Sequence, residues 1–79
     1  MTREEITKLL NEIFREVFND DRIVIHNEMT SKDIDNWNSL THMVLITNIE
    51  DRFNIRFKLR ELNKLRQVGD LINTIESKL

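Results

Sequence analysis

Trp37-Asn38-Ser39-Leu40-Thr41-His42-Met43-Val44-Leu45-Ile46-Thr47-Asn48-Ile49-Glu50-Asp51-Arg52-Phe53 reads as a capped amphipathic helix, and the rest of the chain is built around it. Asn38 is the N-cap candidate, since its side-chain oxygen can accept a free backbone N–H of the first turn. At about 100° per residue, Leu45, Ile46, Ile49 and Phe53 fall in one sector and Leu40, Val44, Thr47 and Asp51 in the opposite one. The first group is the core face. The second exposes Leu40 and Val44 among polar neighbours, a candidate contact for a partner, and Met43 stands between the two faces.

Upstream, Thr2 and Glu5 form a capping-box pair, and Ile6, Leu9, Leu10, Ile13, Phe14, Val17 and Phe18 recur with helical spacing until Asn19-Asp20-Asp21. Between Asn19 and Asn38 the chain is polar, broken by Ile23-Val24-Ile25, Met29, Ile34 and Trp37. The triplet has no strong strand to pair with, so a long loop pinned by apolar anchors is expected, and loops of that length are often functional. Downstream, the alternation Phe53-Asn54-Ile55-Arg56-Phe57 is too short and isolated for a sheet. Arg60 to Leu65 suits a short helical turn. Val68, Leu71, Ile72, Ile75 and Leu79 mark a last helix, with Gly69 near its start permitting close packing. The expectation is an all-α fold: a small four-helix bundle of three longer helices and one short, with a long first loop, in a single domain spanning 1–79.

Composition narrows the chemistry. The 79 residues include no cysteine, no proline and one glycine. Disulfides, thiolate metal sites and a protein-borne thiol nucleophile are excluded, and a P-loop or GxGxxG motif cannot be assembled. A chain of this length buries only about 60% of its unfolded surface, leaving little room for a deep active site. No apolar run approaches a membrane span, and the charged start Thr2-Arg3-Glu4-Glu5 is unlike a signal peptide, so a cytoplasmic protein without membrane association is expected. His26 and His42 lack metal-ligand spacing, so no metal site is expected; packing or local hydrogen bonding suffices for both.

The net charge of −2 is unevenly spread. Arg52, Arg56, Lys58, Arg60, Lys64 and Arg66 are opposed between them only by Glu61. This bias permits a small nucleic-acid-binding module as an alternative, but the negative net charge, the few aromatics and the lack of a recognition helix oppose it. Nucleic acid is not expected as a partner.

Ser39 is the one candidate for chemistry. Just inside a helix start, its hydroxyl lies near free N–H groups and the positive end of the helix dipole, a place suited to a phosphate ester. Its surroundings are more specific. Trp37-Asn38-Ser39-Leu40 is similar to the Asp-Ser-Leu signature of acyl and peptidyl carrier proteins. The likeness continues through Leu45-Ile46, Ile49-Glu50-Asp51-Arg52-Phe53, Ile55-Arg56-Phe57, Leu62, Leu65 and Val68-Gly69-Asp70-Leu71, in order and over nearly the whole chain.

That resemblance implies that Ser39 accepts 4′-phosphopantetheine from coenzyme A through a separate phosphopantetheinyl transferase. The thiol of the arm would hold acyl, peptidyl or aminoacyl groups as thioesters for loading, modifying and transferring enzymes, the carrier itself catalysing nothing. Asn38, Leu40, Met43, Val44, Thr47 and Asp51 would form the partner-facing surface, and Met43, Ile46 and nearby core residues would line a cleft for the acyl chain. Two departures stand out. Asn38 replaces the usual aspartate, keeping the capping oxygen but losing a charge through which transferases commonly recognise the site. The basic 52–66 segment and apolar Val44 also differ from the acidic surface of fatty-acid carriers, which points to partners in a dedicated pathway. The short chain suggests a discrete monomeric carrier, the other reading being an unmodified adaptor of the same fold.

Overall fold

The computed structural model describes all of residues 1–79 and contains helices only. α1 spans Arg3–Val17, α2 Ser39–Phe53, α3 Leu59–Leu62 and α4 Val68–Lys78, and a 3₁₀ turn occupies Ser31–Asp33. Three longer helices, a short one and a long first loop are as expected, although the short helix lies earlier than Arg60 to Leu65.

Local chemistry sets each boundary. Thr2 and Glu5 close the capping box of α1, with Thr2 N–H donating to Glu5 Oε1 at 2.8 Å and Glu5 N–H to Thr2 Oγ1 at 3.2 Å. α2 ends at Asn54, which adopts the left-handed conformation at φ 56°, a role asparagine tolerates. Glu50 then ties down the next segment: its carbonyl accepts Ile55 N–H at 3.1 Å and its carboxylate accepts Phe57 N–H at 2.9 Å. The alternating stretch after Phe53 is therefore held by the backbone and side chain of one helix residue instead of a partner strand, with Ile55 buried.

α1 packs against both α2 and α4. The shared core contains Ile6, Leu10, Ile13 and Phe14 from α1, Leu45, Ile46, Ile49 and Phe53 from α2, and Val68, Leu71, Ile72 and Ile75 from α4. Each such side chain contributes about 1.5–3 kcal/mol on leaving water. Every residue of the predicted core face of α2 is in this set.

The long loop is stitched to the bundle. Ile23, Ile25 and Met29 are buried, Ile25 N–H donates to Asn11 Oδ1 at 2.8 Å, and Arg15 Nε donates to the Ile23 carbonyl at 2.7 Å. Its carbonyls also complete α4: Val68 N–H donates to Met29 O and Gly69 N–H to Asn27 O, both at 2.9 Å. Two N–H groups that a helix start leaves free thus find partners in the loop. A Cβ on Gly69 would lie 3.1 Å from Asn27 O, which explains glycine here. The loop ends on Trp37, whose ring meets Phe14 edge-on at 5.3 Å and Phe18 at 5.7 Å. That aromatic anchor fixes where α2 begins. No helix is long and apolar enough to cross a membrane.

Candidate functional site

Ser39 is the first residue of α2 and is exposed. Its position follows from the cap beside it. Asn38 Oδ1 accepts the backbone N–H groups of Leu40 at 3.0 Å and Thr41 at 3.1 Å, while Thr41 Oγ1 accepts Asn38 N–H at 2.8 Å. The Asn38 carbonyl takes the N–H of His42 at 2.8 Å. The free donors expected near Ser39 are thereby reduced to its own N–H, because Asn38 uses the next three. Neither that N–H nor the Ser39 hydroxyl has a hydrogen-bond partner. The result is an accessible, unengaged hydroxyl at the positive end of a 15-residue helix.

An open groove of about 580 Å³ adjoins this hydroxyl. Trp37, Ser39, His42 and Met43 form one side, and Leu59, Leu62, Leu65 and the start of α4 the other. Arg66 is the single charged residue on its wall. Ile46 was expected here with Met43, yet it is 2% exposed and belongs to the core between helices. Core residues Val68 and Leu71 line the opposite wall, as the expectation of nearby core residues allows, whereas Leu59, Leu62 and Leu65 are additions to it. Their signal was an apolar i, i+3 series that the basic residues around it obscured.

The outer face of α2 is as the helical projection placed it. Leu40 is 78% exposed, Met43 52% and Val44 47%. Thr47 and Asp51 are exposed as well, Thr47 Oγ1 donating to the Met43 carbonyl at 2.9 Å. Asn38 borders the groove, its oxygen committed to the cap. Ser39, Leu40, Met43, Val44, Thr47 and Asp51 therefore form one continuous surface running from the groove along α2.

The two histidines do local work. His26 approaches Glu28 at 3.5 Å in an exposed turn. The His42 ring lies nearly parallel to that of Trp37, with 18° between the rings and their centroids 6.1 Å apart, and accepts the indole N–H at Nδ1 over 3.1 Å. Burial lowers the His42 pKa from its ordinary 6.5. The helix dipole acts in the same direction.

Two of the six bases in the basic segment, Arg52 and Arg56, are ion-paired. Arg52 reaches Glu16 at 3.4 Å and Glu12 at 3.6 Å, Arg56 lies 3.8 Å from Glu50, and Glu61 is held by Lys78 at 2.8 Å. Lys58, Arg60, Lys64 and Arg66 remain outside any ion pair. No group of three or more His, Asp or Glu residues is arranged to hold a metal ion.

No protein-family model matches the sequence. The chain is 34% identical, over its full length and that of the relative, to the acyl carrier protein of Exiguobacterium sp.. Its fold superposes on the holo acyl carrier protein of Geobacter metallireducens, known from solution NMR, with a TM-score of 0.87 and 47% identity over 91% of this chain and 83% of that one. A chain from Mycobacterium tuberculosis is similar at a TM-score of 0.80 and 25% identity, covering 91% and 96%. Full-length similarity and a shared helical architecture establish that the chain belongs to the acyl carrier protein family.

Proposed function

We propose that Ser39 is the attachment point of a 4′-phosphopantetheine arm, in a single carrier domain that delivers acyl or aminoacyl groups within a specialised biosynthetic pathway. Family membership makes the chain a non-catalytic carrier, and the finer reading rests on one observation: the exposed, unengaged Ser39 hydroxyl at the positive end of α2, on the rim of an apolar-walled groove. The residues present suit the group. A phosphodiester on Ser39 would gain about 0.3–1 kcal/mol from the helix dipole, and no carboxylate borders the groove to repel it. When bound, the arm supplies the thiol that this cysteine-free chain lacks, holding cargo as a thioester.

The chain's own residues do the remaining work. Asn38 and Thr41 hold the α2 terminus so that Ser39 projects to a transferase. Leu40, Met43, Val44, Thr47 and Asp51 present the surface on which cargo-loading and cargo-processing enzymes dock. A patch this small favours fast release, which suits a monomeric cytoplasmic shuttle. Cargo of the fatty-acyl, polyketide or aminoacyl kind fits this reading, and the low acidity of α2 favours partners of a dedicated pathway over those of bulk fatty-acid synthesis.

Labelled coenzyme A, supplied with Mg²⁺ and a broad-specificity transferase, tests the assignment. Label is expected on the wild type and absent from Ser39→Ala. Label retained by Ser39→Ala would place the site elsewhere, and a wild-type chain isolated unmodified from cells with an active cognate transferase would favour the adaptor reading.

A further inference from the structure

His42 lies three residues beyond Ser39 on α2, on the same side of the helix, and both border the groove. Its ring is fixed through one edge. The indole N–H of Trp37 can only donate, so His42 Nδ1, 3.1 Å away, must accept. A neutral imidazole that accepts at Nδ1 carries its proton on Nε2. That hydrogen bond joins two nearly parallel rings edge to edge and so sets the imidazole plane, and Phe14 and Phe18 hold the indole in turn. The Trp37 bond is the only hydrogen bond the His42 side chain makes, which leaves Nε2–H as a donor of fixed tautomer without a protein partner. No carboxylate borders the groove to accept it, and the one charged neighbour there, Arg66, is itself a donor.

We propose that His42 is a positioning residue for the arm carried at Ser39: Nε2–H donates to an acceptor oxygen of the arm itself and draws it along the groove wall, with Trp37 setting the tautomer. This rests on attachment at Ser39. A phosphopantetheine chain offers phosphodiester and amide oxygens near its attached end, within reach of a residue one helical turn away. The His42 side chain is partly buried, and an N–H without a protein partner there gains from such an acceptor. The burial that lowers the His42 pKa also keeps Nδ1 unprotonated near neutral pH, so the Trp37 bond persists there.

Nitrogen-15 NMR of the imidazole tests this in three samples: the unmodified protein, the protein bearing the arm with a free thiol, and the acyl-loaded protein, with intact mass verifying each. The unmodified protein is expected to show the Nε2–H tautomer. Adding the arm alone should shift the Nε2 and Hε1 resonances and move the His42 titration midpoint upward, because a nearby acceptor and a negative phosphodiester both favour the protonated ring. His26, which does not border the groove, should be unchanged. Trp37→Phe should release the tautomer and shrink the response. An Nδ1–H tautomer in the unmodified protein overturns the proposal, as do His42 signals that ignore the arm while the Leu40 amide shifts. A response seen only after acylation overturns it too, by assigning the acceptor to the cargo. Failure of the mass to increase at all removes the Ser39 assignment, an outcome distinct from a loaded protein with a silent His42.

Discussion

Asn38 and Thr41 cap each other: the Asn38 side-chain oxygen accepts the Thr41 N–H at 3.1 Å, and the Thr41 hydroxyl accepts the Asn38 N–H at 2.8 Å. Ser39 and Leu40 lie inside that clasp, so the cap fixes both the start of α2 and the direction of the candidate attachment site. Asn38→Ala is expected to cost about 1 kcal/mol in urea-denaturation stability. Asn38→Asp should keep the cap, adding a charge favourable to the helix dipole, and should raise kcat/KM for a broad-specificity transferase, since it restores the aspartate usual in the family.

Leu40 exposes most of its side chain and joins no core cluster. Leu40→Ala should leave the thermal midpoint nearly unchanged, with a stability difference within about 0.5 kcal/mol. A transferase that docks on this face should lose roughly tenfold in kcat/KM, the size of a modest interface hot spot. Equal losses in stability and in modification would show that Leu40 is structural.

Ile49 is the reverse case, fully buried on the opposite side of the same helix. Ile49→Ala is expected to cost about 2–5 kcal/mol through lost burial and the cavity left behind. In a domain of this size that is a large share of total stability, readable by urea denaturation.

Gly69 is tied to loop backbone at Asn27, where an added Cβ would come within 3.1 Å of a carbonyl oxygen. Gly69→Val adds branched bulk that this contact does not accommodate, and an overpacking cost of about 1–3 kcal/mol is expected. Amide exchange of Val68 and residue 69, whose N–H groups donate to the loop, should accelerate more than exchange in α1.

The pH dependence has two parts with the same sign. The His42 pKa is lowered in the folded chain by burial, so its contribution is complete above the ordinary value of 6.5 and is lost as pH falls below it. The carboxylates of Glu5, held by Thr2, of Asp20, held by Arg22, and of Glu61, held by Lys78, are also lowered, and their contributions fade in the acid range below about 4.5. Thermal midpoints should therefore decline in two stages on acidification. His42→Gln should remove the first and leave the second.

The helices and their core faces could be read directly because periodicity and capping are local properties: Thr2, Asn38 and the apolar stripe of α2 carry their meaning within a few residues. Ser39 was legible as a candidate through the motif around it. Leu59, Leu62 and Leu65 on the far wall of the groove were not, since they acquire their role only when the chain folds back across the start of α2. The Trp37–His42 bond was hidden for a related reason. It joins a loop residue to a helix residue five positions on, a spacing that no helical or strand period singles out. The cleft role given to Ile46 fails because the core sector that the helical period assigns it keeps its side chain buried and off the groove.

Intact-mass spectrometry of the wild type, Ser39→Ala and Asn38→Asp, each incubated with coenzyme A, Mg²⁺ and a broad-specificity transferase, puts the Ser39 assignment at greatest risk. The wild type and Asn38→Asp should each gain one phosphopantetheine, with Asn38→Asp faster, and Ser39→Ala should gain none. A mass increase on Ser39→Ala, or none on either chain that retains Ser39, would contradict the assignment of this serine as the site where the carrier receives its arm.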